Sequence, residues 1–311
     1  MLEGVKGEES MALSLCKTVT DAQGRELLEH GTPLFPIACY HDDLQKEWVP
    51  WHWHEELEVL IVSEGTAVVA ADSEKYVLQQ GEGCFINRGV LHAAWNAGEE
   101  ACHFHSSVFH PRLVGGSMDS VFWQKYLNPV MEDQSLKMIC FRKNSDWHRS
   151  ALDAIENAWQ AFSTEGAGYE FKVREELSKL SFLICTNHPV RQNRISEKAL
   201  RDGERIKQML QYVQEHYGEE LEVSEIAASA LVSTSECLRC FRSTIGVTPM
   251  QYVIRLRVEK AAELLAETDG KITEIGVQCG FQEMSYFART FRKVKGCTPS
   301  AYRRNKRQSE G

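Results

Sequence analysis

The chain has 311 residues, 43% hydrophobic and 25% charged, with a formal net charge of −9. That is enough apolar material for two or three cores, and no apolar run reaches the roughly 18 residues of a membrane-spanning helix. Such a balance excludes a uniformly basic nucleic-acid binder, but the charge is unevenly spread: residues 1–202 carry 19 Lys+Arg against 30 Asp+Glu, and residues 203–311 carry 16 against 14. From Tyr286 onward eight basic residues (Arg289, Arg292, Lys293, Lys295, Arg303, Arg304, Lys306, Arg307) face one acidic residue, Glu310. Phosphate attraction depends on local charge, so a polyanionic partner is expected at this end. The start, MLEGVKGEES, lacks the basic-then-apolar pattern of an export signal, and the ten cysteines form no framework of close spacings. Both point to a cytoplasmic protein with reduced thiols and no membrane partner.

Residues 1–35 are polar and irregular and are expected to form an arm. Residues 36–120 change to short alternating apolar runs (LEVLIVSEG, TAVVAADS, KYVLQQGEG, CFINRGV, CHFHSSVF) separated by Gly and charged turns. That spacing predicts a β-sandwich or barrel. Within it stand His52-x-His54-x3-Glu58 and, later, Gly89-x2-His92. If residues 52–58 form one strand, His52, His54 and Glu58 share a face, and His92 completes a set of three nitrogens and one oxygen suited to Zn, Ni, Mn or Fe. The same side chains also suit a metal-free polar pocket for an organic effector. Trp95 is placed at the pocket mouth, where an aromatic face favours a sugar or similar small polar molecule. By parity Trp51 and Trp53 point the other way.

These segments resemble the two motifs of the cupin barrel, with His52, His54, Glu58 and His92 at the family's metal-ligand positions. Lys46 and Asn87 depart from it, standing where the motifs usually have Gly and Pro.

Residues 121–187 are read as a helical dimerisation or cap region. Phe122–Phe141 shows no clear period and contains Pro129, whereas Asp146–Ser163 and Tyr169–Thr186 have helical spacing and predict an antiparallel pair packed on the barrel. Residues 188–203 (HPVRQNRISEKALRDG) are polar and Pro-broken, an expected linker.

Residues 204–311 contain one unit written twice. Ile226 answers to Ile275, Ala227 to Gly276, Arg239 to Arg289, Phe241 to Phe291, Gly246 to Gly296, Thr248-Pro249 to Thr298-Pro299 and Tyr252 to Tyr302; the offset is 49 residues early and 50 later, so one residue is inserted near Gln282. Each copy predicts a helix, a tight turn and a second helix. On the second helix of the first copy, Cys237, Cys240, Phe241 and Ile245 face inward, and Thr234, Ser235, Leu238, Arg239 and Arg242 face outward. In the second copy Phe287, Phe291 and Val294 face inward, and Met284, Ser285, Arg289 and Arg292 face outward, with Lys293 beside them. Such helices read base edges in the major groove. The helix from Pro249 to Thr268 spans about 30 Å, close to one turn of duplex DNA.

The last hundred residues resemble the AraC/XylS family of transcription regulators, most specifically through Gly280-Phe281, Ser285-Tyr286-Phe287, Arg289, Phe291-Arg292, Gly296, Thr298-Pro299 and Tyr302-Arg303. The resemblance implies an α+β multidomain protein. Its parts are a cupin-like β-barrel, a helical hairpin and an all-α domain with two helix-turn-helix units joined by a long helix. It also implies a homodimer that binds double-stranded DNA and a small effector and acts on RNA polymerase. The rival expectation is a metal-dependent cupin enzyme, a dioxygenase or isomerase, fused to a DNA-binding tail.

Overall fold

A computed structural model describes residues 26, 29–45, 48–188 and 197–309. Most of the expected arm, Lys46, residues 189–196 of the expected linker, and Glu310 lie outside the described residues. The chain divides into two compact units, the first based on Glu26–Ile195 and the second on Ser196–Gly311.

The first unit is built on nine strands: β1 Ile37–Asp43, β2 Val49–His52, β3 Leu57–Glu64, β4 Thr66–Ala71, β5 Glu74–Gln79, β6 Gly83–Ile86, β7 His92–Asn96, β8 His103–Phe109 and β9 Met138–Phe141. They form a five-stranded sheet in the order β1-β8-β3-β6-β9 and a four-stranded sheet in the order β2-β7-β4-β5. Each of these pairings is antiparallel. β9 falls in the stretch read as aperiodic, so the sheet extends past residue 120. The region has no legible period because three short elements share it, a π-helical turn (Trp123–Leu127), helix α2 (Asn128–Met131) and β9, after the short helix α1 (Arg112–Gly115). Pro129 is accommodated in the first turn of α2, where the missing N–H costs nothing.

β3 explains the layering. Its first six residues are all buried, as expected of a strand covered on both sides. Leu60 and Val62 join Val69, Ala71, Leu78, Ala94 and Phe104 in the core between the sheets. Leu57, Val59 and Ile61 face the other way into a second core. That second core is closed by helices α3 (Asp146–Thr164) and α4 (Tyr169–Asn187), through Leu152, Ile155, Phe162, Val173, Leu177 and Ile184. Ser145 caps α3, accepting from the His148 N–H. The helical pair thus packs on the outer face of the larger sheet, as expected. There His105 Nε2 lies 2.9 Å from Glu156 of α3 and its ring stacks on Trp159.

The second unit starts earlier than expected: α5 runs Glu197–His216, so residues 197–203 of the expected linker are helical. α6 (Val223–Ser229) and α7 (Thr234–Cys240) form the first helix-turn-helix, and a π-helical turn (Phe241–Ile245) extends α7. α8 (Pro249–Glu267) leads to the second, α9 (Ile272–Gln278) and α10 (Met284–Lys295), followed by α11 (Pro299–Ser309). Thr248 and Gln251 form a capping box on α8, with Pro249 at its first position. Gly246 and Gly296 end their helices with φ of 86° and 72°, a left-handed conformation that glycine adopts without a Cβ clash. Where α9 crosses α10, a Cβ on Gly276 would meet Met284 and Phe287 at 3.0 Å. The inserted residue lies in the second turn, because α7 starts after Ser233 and α10 after Glu283.

The two turns carry the same bonds. Leu231 and Val232 donate to Ala228 and Ala227, as Gly280 and Phe281 donate to Val277 and Gly276. Leu231 therefore sits at φ 54°, where its counterpart is Gly280 at φ 81°, and its side chain is 94% exposed. A non-glycine residue in that conformation costs about 1–2 kcal/mol, and glycine returns part of this through a freer unfolded chain. Leu231→Gly is expected to stabilise the second unit by about 0.5–1 kcal/mol, read as a higher thermal midpoint; a lower midpoint would show that the leucine side chain itself contributes.

Candidate effector chamber and nucleic-acid interface

β2 ends at His52 and β3 begins at Leu57, so His52, His54 and Glu58 do not share one strand. The single-face expectation fails, but the residues meet for another reason. His52 on β2 pairs with His92 on β7, the inward parity of β3 brings in Glu58, and the β2–β3 connection folds His54 between them. One donor atom from each of His52, His54, Glu58 and His92 lies within 4.8 Å of the others, and all four residues are buried.

The protonation pattern follows from the backbone. Nδ1 of His52, His54 and His92 lies 2.8, 3.1 and 2.8 Å from the carbonyl oxygens of Pro50, Glu56 and Val90. A carbonyl only accepts, so each Nδ1 carries a proton, and in the neutral ring each Nε2 presents a lone pair inward. Glu58 Oε2 stands 3.3 Å from His54 Nε2 and 2.9 Å from His92 Nε2. Acceptors therefore confront one another, and His92 Nε2 has no hydrogen-bond partner. A cation resolves this, either a metal ion or a proton on His54 or His92 Nε2 that donates to Glu58. A proton on His52 is disfavoured: burial, with His92 beside it, lowers that imidazole to about 3. Burial pushes the Glu58 carboxyl up, but His92 and His54, where protonated at Nε2, outweigh it and hold it well below the usual range. Three oriented Nε2 atoms, one carboxylate and carbonyl-anchored rings fit a divalent ion.

Trp95 does not join this set. It follows Ala94, whose side chain is in the inter-sheet core, so its own side chain lies on the outer face under Lys75, whose Nζ is 5.4 Å from the ring. Trp51, whose parity turns it away from the histidines to the outside or to a domain contact, is 2% exposed. Asn87 has a definite role: its Nδ2 donates to the carbonyls of Val130 and Leu136 at 2.9 and 3.1 Å, two bonds that the family's usual proline cannot make.

Sequence reasoning missed Glu26, His30 and Tyr40. Glu26 N–H donates to the Trp53 carbonyl at 2.9 Å, which sets its carboxylate 3.8 Å from His52 Nε2. His30 bridges Glu26 (3.1 Å) and the Tyr40 hydroxyl (2.8 Å). The one available signal was Glu26-x3-His30 in an otherwise polar leader.

In the second unit the inward residues Cys237, Cys240, Phe241 and Ile245 are buried, as are Phe287 and Phe291. Val294 is 38% exposed instead; buried Thr290 takes the inward position. Thr234, Ser235 and Arg242 are exposed, and Ser235, Leu238, Arg239 and Arg242 line one open groove. Arg239 is not free in it. Its guanidinium lies 2.7 Å from Asp202 and 2.7 Å from Glu236, and Arg205 reaches Glu236 at 3.5 Å. Glu236 thus turns its carboxylate to arginine, and Ser233 caps α7 by accepting from the Glu236 N–H. On α10, Ser285, Arg289, Arg292 and Lys293 are exposed. Arg289 lies over the Tyr286 ring at 5.7 Å, and Ser285 hydrogen-bonds Glu283. Met284, expected outward, packs on the α9–α10 core.

Two helix-turn-helix units on one helical scaffold, beside a β-rich unit with a buried donor cluster, define a DNA-binding regulator with a ligand-binding domain. Comparison agrees: the profile of AraC-like ligand binding domains matches residues 34–180 and a helix-turn-helix domain profile matches 226–305. The chain belongs to the AraC family of transcription regulators. It is 29% identical over 289 residues to the uncharacterized HTH-type transcriptional regulator YdeC of Bacillus subtilis, covering 92% of this chain and 98% of that one. It is 24% identical over 287 residues to the transcriptional activator RhaS of Citrobacter koseri, covering 89% and 97%. Among solved structures, an apo point variant of ToxT from Vibrio cholerae is similar at 15% identity with a TM-score of 0.46, covering 89% and 98%.

Proposed function

We propose that this regulator is controlled at the His52, His54, Glu58 and His92 chamber by a bound divalent metal, alone or with a small polar effector. The gathering of three carbonyl-anchored imidazoles and the Glu58 carboxylate within one buried set carries the reading. When bound, the ion would neutralise Glu58 and offer a coordination position to an oxygen- or nitrogen-bearing effector. The chamber acts as a sensor rather than a catalytic centre, and the protein works in the cytoplasm.

Reading of DNA is assigned to Thr234, Ser235, Leu238 and Arg242 of the first unit and to Ser285, Arg289, Arg292 and Lys293 of the second. α8 has 19 residues, about 28 Å of rise, which suits recognition helices placed in successive major-groove segments. Activation through RNA polymerase accords with relatives named as activators. Phe171 and Phe182 on α4, 81% and 51% exposed, support a homodimer through the helical pair. Selecting DNA from a random pool and footprinting the product tests the reading. Two protected segments about one helical turn apart are expected; protection of a single segment contradicts a two-headed reader.

Arg239 is assigned a conditional role, because a guanine contact requires it to leave Asp202. Asp202→Asn is expected to tighten operator binding by about two- to five-fold, the worth of one partly exposed ion pair. A titration by fluorescence anisotropy that gives equal or weaker binding would mean that Arg239 works from within its clamp.

A further inference from the structure

Resting on the reading of the chamber as a divalent-metal site, we infer that Glu26 is a further, displaceable ligand of the same ion, carried by the segment ahead of β1. Four observations converge. Glu26 is buried at 7% exposure, and its Oε1 has no hydrogen-bond partner. Its Oε2 lies 3.8 Å from His52 Nε2, and that nitrogen presents a lone pair because Nδ1 is committed to the Pro50 carbonyl. This is again acceptor against acceptor. Ligands of one ion with bonds of about 2.0–2.2 Å stand roughly 3–4.2 Å apart, so this spacing admits a shared cation.

The carboxylate is also oriented as a ligand is. His30 holds Oε2 at 3.1 Å, and the Tyr40 hydroxyl holds His30 at 2.8 Å. The His30 ring stands edge-on to His54 at 5.4 Å. An outer chain of this kind fixes a metal-ligating group. Charge agrees: with neutral imidazoles, Glu58 alone leaves a buried divalent ion with one uncompensated positive charge, and Glu26 removes it. Glu26 lies outside the four tightly grouped donors, so it must move inward to share their ion and is the ligand that leaves most readily. Ion occupancy then sets whether Glu26 is fastened to the β2–β3 connection through the Glu26–Trp53 backbone bond.

The test uses the full-length protein, stripped of metal and titrated with Zn2+ by calorimetry. Co2+ absorption and hydrogen exchange of the Glu26 amide are read in parallel. Wild type is expected to take one equivalent and to slow exchange at Glu26. Glu26→Gln is expected to keep one equivalent at about 10-fold lower affinity, to give a stronger Co2+ visible band from lower coordination, and to lose the slowing. Glu26→Asp, which keeps the charge but withdraws the carboxylate, is expected to behave like Glu26→Gln, and unfolding curves confirm that both fold. Wild-type affinity and spectrum in the two variants overturn the role of Glu26 while leaving the four-residue site standing. Absence of Zn2+ binding by wild type overturns both.

Discussion

Phe291→Ala is expected to cost about 3–5 kcal/mol and to abolish DNA binding by unfolding the second helix-turn-helix. Phe291 is fully buried and sits edge-on to Phe287 at 5.7 Å and Tyr302 at 5.5 Å. It shares its core with Phe281, Phe287, Ile275 and four residues of α8, Val258, Ala261, Ala262 and Leu265. In so small a core the vacated space has few neighbours able to fill it. Arg289→Ala provides the contrast. Arg289 is exposed, so its removal is expected to leave the thermal midpoint unchanged and to weaken operator binding by about 1–3 kcal/mol, with discrimination relaxed at one base pair. Equal stability loss in the two variants, or normal binding by Arg289→Ala, would remove α10 as the reading helix.

Glu58→Gln is expected to weaken divalent-ion binding by about 100-fold or more without destabilising the metal-free protein. The amide is nearly isosteric with the carboxylate, and its NH2 group donates to the Nε2 lone pairs of neutral His54 and His92, which a carboxylate opposes unless they are protonated. Metal-free Glu58→Gln is therefore expected to unfold at the same or a higher denaturant midpoint than metal-free wild type. Calorimetry with Zn2+ and urea unfolding separate the two effects. A destabilised apo variant that still binds the ion would mean that Glu58 is structural and that the histidines hold the metal alone.

The C-terminal unit was legible because its information is local and duplicated. Gly246 and Gly296, Thr248-Pro249 and Thr298-Pro299, and the paired aromatic positions specify helix ends and inward faces by chain chemistry alone. What failed there depended on distant partners. Nothing in the local spacing says that Asp202, in a stretch read as linker, clamps Arg239, or that Met284 prefers the surface of Gly276 to solvent.

In the N-terminal unit the alternation of β3 and the identities of His52, His54, Glu58 and His92 were readable, but the reason they converge was not. Parity holds only along an unbroken strand, and the chain turns between His52 and Leu57. β9 escaped notice because its four residues pair with β6 across more than fifty positions, with no turn signal to announce them. Trp95 was misplaced for the opposite reason, since residue type was weighed above the alternation that sends Ala94 inward. Glu26 and His30 lay in a segment whose composition gives no structural signal.

If occupancy of the buried chamber governs DNA reading, linkage makes the coupling measurable from either end. The operator Kd is determined by fluorescence anisotropy on metal-stripped protein and again on protein saturated with Zn2+. The Zn2+ Kd is then determined with and without operator. The operator Kd is expected to differ between the two forms by about 5- to 150-fold. Operator should change the Zn2+ Kd by the same factor, and Glu58→Gln should abolish both shifts. One operator Kd for the stripped and loaded protein, with Zn2+ bound at one equivalent, would mean that the chamber does not govern DNA reading.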